Sequence, residues 1–181
     1  MVIDGLGRSW IGDLGYDFFA GEARKPGRIV HMPPHGACRV VAEGLDFPNG
    51  MAVSPDCGTL VVAETFGQRL TAFKVGADGS LNDRRVFAEC TGLCPDGICL
   101  DAEGAAWAAD AGSNRVLRIF DGGRIEQTIT VPEGRRLVAC TLGGEDRRTL
   151  FLCTNTPLSA REPNSGWIEI ARVRVPGAGW P

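Results

Sequence analysis

Asn49 and Asp96 stand 47 residues apart in the same local setting. "FPNGMAVSPD" (Phe47–Asp56) and "CPDGICLDAEG" (Cys94–Gly104) each place Pro, an oxygen-bearing residue and Gly before a short apolar run. Each Pro-X-Gly reads as a turn, since Asn and Asp side chains cap turn backbone and Gly takes positive φ without steric cost. Strands then begin at Met51 and Ile98. An amide oxygen and a carboxylate oxygen are also the donors that a hard cation such as Ca²⁺ or Mg²⁺ takes. The two residues by themselves are compatible with both roles.

Whether these oxygens can meet depends on the elements that carry them. "MVIDGLGRSWIGD" aligns with "MAVSPDCGTLVVAE", with "ICLDAEGAAWAAD" and, more loosely, with "CTLGGEDRRTLFLCT". Each unit is an apolar strand, a polar turn and a second apolar strand. In the first three units the second strand ends in a carboxylate: Asp13, Glu64 and Asp110. These three are read as structural, satisfying turn backbone or pairing with nearby arginines. Third strands follow in "GRIVHM", "QRLTAFKV", "NRVLRIF" and "GWIEIARVRV", and fourth strands in "CRVVAEG", "RRVFAEC" and "IEQTITVPEG". The period is about 42 to 50 residues, and no helical periodicity competes with it.

Four-stranded units at this period are the mark of propeller blades. The predicted fold is therefore all-β, one β-propeller domain with blades at 1–44, 45–92, 93–136 and 137–176. A longer surface loop is expected over Thr156–Gly166. Residues where each innermost strand begins face the central channel of a propeller, which brings Asn49 and Asp96 together. The equivalent of both in the last unit is Val138, which cannot ligate, and in the first unit the position falls before Met1. Trp10 and Trp107 fall in second strands and are predicted buried, with Leu60 and Val61 near the matching position between them.

The bulk properties exclude several classes. A net charge of −3 supplies no basic field for nucleic acid. No apolar run is long enough to cross a membrane as a helix, and no signal peptide is visible. The seven cysteines lack C-x-x-C pairs and are expected to be buried, reduced thiols of a cytoplasmic protein. His31 and His35 bracket "MPP", where two prolines exclude a helix, so they are expected at the surface or at a strand end rather than on zinc. Ser54, Ser80 and Ser113 lack a nucleophile-elbow context. "GADGS" and "DGG" read as hairpin turns rather than phosphate loops.

"FPNGMAVSPD", "PDGICLDAEGAAWAAD" with "NRVLRI", and "ACTLGGEDRRTLFLCT" with "ARVRVPGAG" resemble the gluconolactonase/senescence-marker-protein (regucalcin) family over nearly the whole chain. The resemblance implies a six-bladed propeller of the lactonase type, with a divalent cation in the channel and hydrolysis of sugar lactones or related cyclic esters. It implies that Asn49 and Asp96 bind the metal and that Asp96 also acts as base. Ca²⁺ is the leading cation, with Mg²⁺, Mn²⁺ and Zn²⁺ as alternatives, and the partner is a small-molecule lactone. The family's first-blade glutamate and its asparagine ahead of the strand resembling "MVIDGLGR" have no counterpart here. The chain is therefore expected to be an arc of about four blades, the C-terminal two-thirds of a member, truncated at its N-terminus and weakly active or inactive. The alternative is a calcium-binding or non-catalytic propeller serving as a regulatory or protein-binding module.

Overall fold

Short runs of Val, Ile, Leu and Ala, punctuated by Gly, Asp and Pro, pair only with their sequence neighbours. The computed structural model describes residues 1–156 and 165–178. Its first sheet runs β1 (Val2–Ile3), β2 (Ser9–Asp13), β3 (Gly27–Met32) and β4 (Arg39–Leu45). The second holds β5 (Pro48–Val53), β6 (Thr59–Glu64), β7 (Arg69–Val75) and β8 (Leu81–Glu89). The third holds β9 (Pro95–Leu100), β10 (Ala106–Asp110), β11 (Arg115–Ile119) and β12 (Ile125–Thr130). The last has three strands among the described residues, β13 (Arg136–Gly143), β14 (Thr149–Asn155) and β15 (Gly166–Arg172). All pairings are antiparallel, and the four sheets stand side by side as the blades of a β-propeller arc. Among the described residues no helix is long and apolar enough to cross a membrane. Most of the loop expected over Thr156–Gly166 lies outside the described residues.

Three apolar clusters fill the spaces between blades. Trp10 and Ile29 pack with Met51, Leu60 and Val62 of the second sheet. Val61 and Ala63, on the other face of β6, pack with Ile98, Leu100 and Ala106. Trp107 and Ala109 pack with Leu137, Leu150 and Leu152. Both tryptophans, Leu60 and Val61 are buried as the repeat register predicts. Alternation on a strand thus serves two interfaces at once, one per face.

The same polar device closes the first turn of every blade. Asp4, Asp56, Asp101 and Asp146 each accept backbone N–H bonds from the turn that follows, from Arg8, Gly58, Ala105 and Arg148 among others. Arg118, buried in the third sheet, is held by Asp101, Glu103 and Glu126. The segment after β15 returns along the third blade. Pro176 accepts a hydrogen bond from the Ala102 N–H, and Ala178 donates to the Leu100 carbonyl.

Three expectations change. Pro48-Asn49-Gly50 and Pro95-Asp96-Gly97 are not turns ahead of strands: β5 and β9 begin at the prolines. The ladder slips by one residue within each, so that Asn49-Gly50 together face Ala63, and Asp96-Gly97 together face Ala109. Each motif is a β-bulge, which accommodates the same residue types by adding one residue to one strand of the pair. His31 lies near the end of β3 but is buried, its ring 5.4 Å from that of Trp10, rather than at the surface. Burial is the main reason its pKa is lowered, which keeps the imidazole neutral. Of the seven thiols, Cys90, Cys99 and Cys140 are buried, whereas Cys38 is exposed.

The outward faces of the two terminal blades remain apolar. Ile3, Met32 and Val40 are exposed on the first sheet, and Ile168 and Ile170 on the last. Ile168 and Ile170 pair with Cys153 and Phe151, on the face of β14 opposite Leu150 and Leu152.

Candidate functional site

The inner strands β5, β9 and β13 approach so closely that side chains are excluded where they touch. A Cβ on Gly50 would lie 2.1 Å from the Asp96 carbonyl oxygen, and one on Gly97 would lie 2.6 Å from the Ala139 Cα. The glycine of each Pro-X-Gly is therefore a contact requirement between blades. The residue before it is turned by the bulge into a cavity of about 390 Å³. Asn49, Asp96 and Val138, the three positions equated by the repeat, all line this cavity.

Asn49 donates from its amide nitrogen to the Thr65 hydroxyl at 3.3 Å, and that hydroxyl donates to the Pro95 carbonyl at 2.8 Å. These bonds fix the amide and leave its oxygen without a partner among the described residues. The Asp96 carboxylate accepts no hydrogen bond and joins no ion pair among the described residues. Burial pushes its pKa up to about 6, with no cation holding it down. A half-buried carboxylate with no partner is a costly arrangement unless something binds there. Two hard oxygen donors facing one cavity suit a hard cation. Among the described residues no three His, Cys, Asp or Glu side chains cluster to hold one, so protein oxygens would be a minority of its shell.

The second-strand carboxylates lie apart from this chemistry. Glu64 is fully buried and bonded by Arg69, Arg84, Thr71 and the Asp46 N–H. Burial works to raise its pKa, but these bonds prevail and bring it down to about 2. Asp110 accepts from the Cys94 and Gly112 N–H groups, Ser113 and Arg115. Asp13 accepts from the Gly15 N–H and Arg28. All three hold turns and arginines.

An aromatic wall completes one side of the cavity. Phe47 and Phe66 pack as tilted rings with centroids 4.4 Å apart, and Phe18 meets both, at 5.3 and 5.8 Å. Phe18 comes from the long β2–β3 connection, which Arg24 ties down by pairing with Asp46 and lying 5.1 Å over the Phe66 ring. Phe47 adopts φ 62°, a left-handed conformation rare for a bulky residue.

Apart from Phe18 and Phe19, the lining falls on four positions of the repeat. Phe47, Cys94 and Arg136 stand two residues before Asn49, Asp96 and Val138. Thr65, Ala111 and Asn155 stand one residue after Glu64, Asp110 and Thr154, with Phe66 and Gly112 one further on. The aromatic wall, Thr65, Arg136 and Asn155 were not among the residues singled out from sequence. Extending the repeat register to the neighbours of the Pro-X-Gly motif would have found most of them. Phe18 and Phe19 sit in a connection present in one blade only, where no register applies.

Comparison with known proteins gives three kinds of likeness. The profile described as "SMP-30/Gluconolactonase/LRE-like region" matches residues 1–156. The 6-deoxy-6-sulfogluconolactonase of Pseudomonas putida is 30% identical over 187 residues, covering 99% of this chain and 62% of the relative. A solved structure described as the calcium-binding protein regucalcin from Agrobacterium tumefaciens superposes with a TM-score of 0.80 at 25% identity, covering 97% of this chain and 60% of that one. A gluconolactonase structure from Xanthomonas campestris gives a TM-score of 0.69 at 28% identity, covering 97% of this chain and 55% of that one. The chain thus spans less than two thirds of the length of each of these relatives.

Proposed function

The chain belongs to the SMP-30/gluconolactonase/LRE-like family, and from that premise we propose that its cavity is the greater part of a metal-dependent lactonase site, acting on sugar lactones or related cyclic esters. One observation carries this reading. The Asn49 amide oxygen and the Asp96 carboxylate, brought to the same cavity by equivalent bulges, are both left without partners among the described residues. Relatives named as gluconolactonases supply the reaction class.

Asn49 and Asp96 would hold the cation, Ca²⁺ first and Mg²⁺, Mn²⁺ or Zn²⁺ as alternatives. An ion held there would supply Lewis-acid polarisation of a lactone carbonyl and stabilise the charge developing on its oxygen. Asp96 orients the attacking water and accepts its proton at a carboxylate oxygen. Its burial makes that carboxylate a stronger base than an exposed one. Thr65 keeps the Asn49 amide in one orientation through two hydrogen bonds. The wall of Phe18, Phe47 and Phe66 displaces water from one side of the substrate.

Ca²⁺ takes six to eight oxygens, roughly three to four times what Asn49 and Asp96 supply. Turnover by this arc alone is therefore weak, and it rises when further blades cover the face carrying Ile3 and Val40 and bring more ligands. The test is proton release from gluconic acid lactone with and without chelator, on the chain and on a form extended by two N-terminal blades. Metal-dependent turnover that increases in the extended form supports the reading. Full turnover by the chain that resists chelator would remove both the metal and the need for further blades.

A second reading is calcium binding without turnover, favoured by the same two oxygens and by the calcium-binding description of the Agrobacterium relative. Calcium binding by an extended form that hydrolyses no lactone would select it.

A further inference from the structure

The cation Arg136 occupies the repeat position filled by Phe47 and Cys94 in the two preceding blades, and it lines the same cavity. Its guanidinium makes no hydrogen bond, ion pair or ring contact with any described residue. The other arginines around this level of the blades are committed. Arg69 and Arg84 pair with Glu64, and Arg115 pairs with Asp110. Even its neighbour Arg135 is bound, to Glu169, and lies 4.1 Å over the Trp167 ring. The arginine just before β13 is thus tied to the last sheet, and the arginine that opens the strand is left to the cavity.

Arg136 is not spent on the cavity's own acid. Among the described residues it forms no ion pair with Asp96, although both line the cavity. Two residues of strand separate Arg136 from the Asn49–Asp96–Val138 level, a rise of about 6 Å. A ring whose carbonyl sits at that level would bring a substituent on its far carbon to the guanidinium. A planar, permanently charged fork in a partly buried setting, with no counter-charge of its own, fits a carboxylate or another oxyanion.

Resting on the lactonase reading, we infer that the substrate class is an anionic lactone, one that carries a carboxylate or similar oxyanion at the end remote from the ring carbonyl, and that Arg136 is the residue that selects it. The same arginine discriminates against neutral lactones, because a substrate without the anion leaves a half-buried guanidinium unpaired.

Two probes isolate the effect. Glucaric acid γ-lactone and gluconic acid γ-lactone differ only in bearing a carboxylate or a hydroxymethyl group at the terminal carbon. Their affinities for the full chain are measured by calorimetric titration in calcium at low salt, with the wild type and Arg136→Gln. The expected result is about tenfold tighter binding of the glucaric lactone by wild type, the scale of one charge-assisted hydrogen bond. In Arg136→Gln the ratio falls to about one. Arg136→Lys, which keeps the charge but not the fork, retains part of it. Equal binding of the two lactones by wild type overturns the inference and leaves the lactonase reading standing, as does a preference that survives Arg136→Gln. Binding of neither lactone by wild type also overturns the inference, and turnover by the extended form then decides the lactonase reading separately.

Discussion

At the scale of single residues, the site separates into groups with partners and groups without. Asp96 belongs to the second set, and replacing it by Asn removes a charge that would hold a cation and a base that would take a proton. Asp96→Asn is expected to lower turnover of the extended form by about 10²-fold or more, and to abolish saturable calcium binding in titration calorimetry. Asn49→Ala removes one neutral oxygen only, so it weakens metal binding and recovers with excess metal. Glu64 belongs to the first set and acts on stability. Its carboxyl is held at about 2 in the folded chain against an ordinary 4.5. A depressed carboxylate stabilises the fold above its unfolded pKa and loses that contribution as pH falls towards its folded one. Urea titrations should show about 3 kcal/mol of this contribution disappearing between about pH 5 and pH 2. Glu64→Gln is expected to lack that component and to be less stable at neutral pH. A wild-type acid profile identical to that of the variant would remove Glu64 as its source.

At the scale of elements, the bulged inner strands connect sequence to site. Gly50→Ala puts a methyl against the Asp96 carbonyl at 2.1 Å, and Gly97→Ala puts one against the β13 backbone. Neither obstacle is a side chain that can swing away. Each substitution is expected to cost about 3 kcal/mol or more in chemical denaturation. Gly166→Ala, where the nearest atom is 3.8 Å away, should fall within about 0.5 kcal/mol of wild type. Equal costs at the three sites would mean that the strands can move apart. These same elements show how far sequence reading reached. Four strands per unit, the Trp10 and Trp107 interfaces and the shared cavity of Asn49, Asp96 and Val138 were legible because the repeat fixes them together. Pro48-Asn49-Gly50 was mistaken for a turn because a bulge uses the same residue types, and only the pairing partner distinguishes the two. Buried His31 was missed because nothing local announces a ring packed against a glycine of the next blade. Arg136 and the phenylalanines were hidden because each position changes chemical type from blade to blade.

At the scale of the whole molecule, stability is distributed over interfaces between blades rather than one central core. Trp10→Ala and Trp107→Ala are each expected to cost about 3–5 kcal/mol, since each empties the packing between two sheets. Ile168→Glu and Ile170→Glu, on the open face of the last blade, should change stability by no more than about 0.5 kcal/mol while reducing the binding of a hydrophobic dye. If the open-face substitutions destabilise as strongly as the tryptophan ones, that face is covered in solution.

The backbone contact at Gly50 and Gly97 also bears on how such a protein can diversify. Where β5 meets β9 and β9 meets β13 the spacing is set by main chain against main chain, so it does not change when side chains around the cavity are exchanged. The rim is different. Phe47, Cys94 and Arg136 occupy one register with three unlike side chains, and Phe18 arrives on a connection found in one blade. Heritable change in what the cavity accepts is therefore channelled to these side chains, while the spacing of the inner strands passes unaltered from one variant to the next.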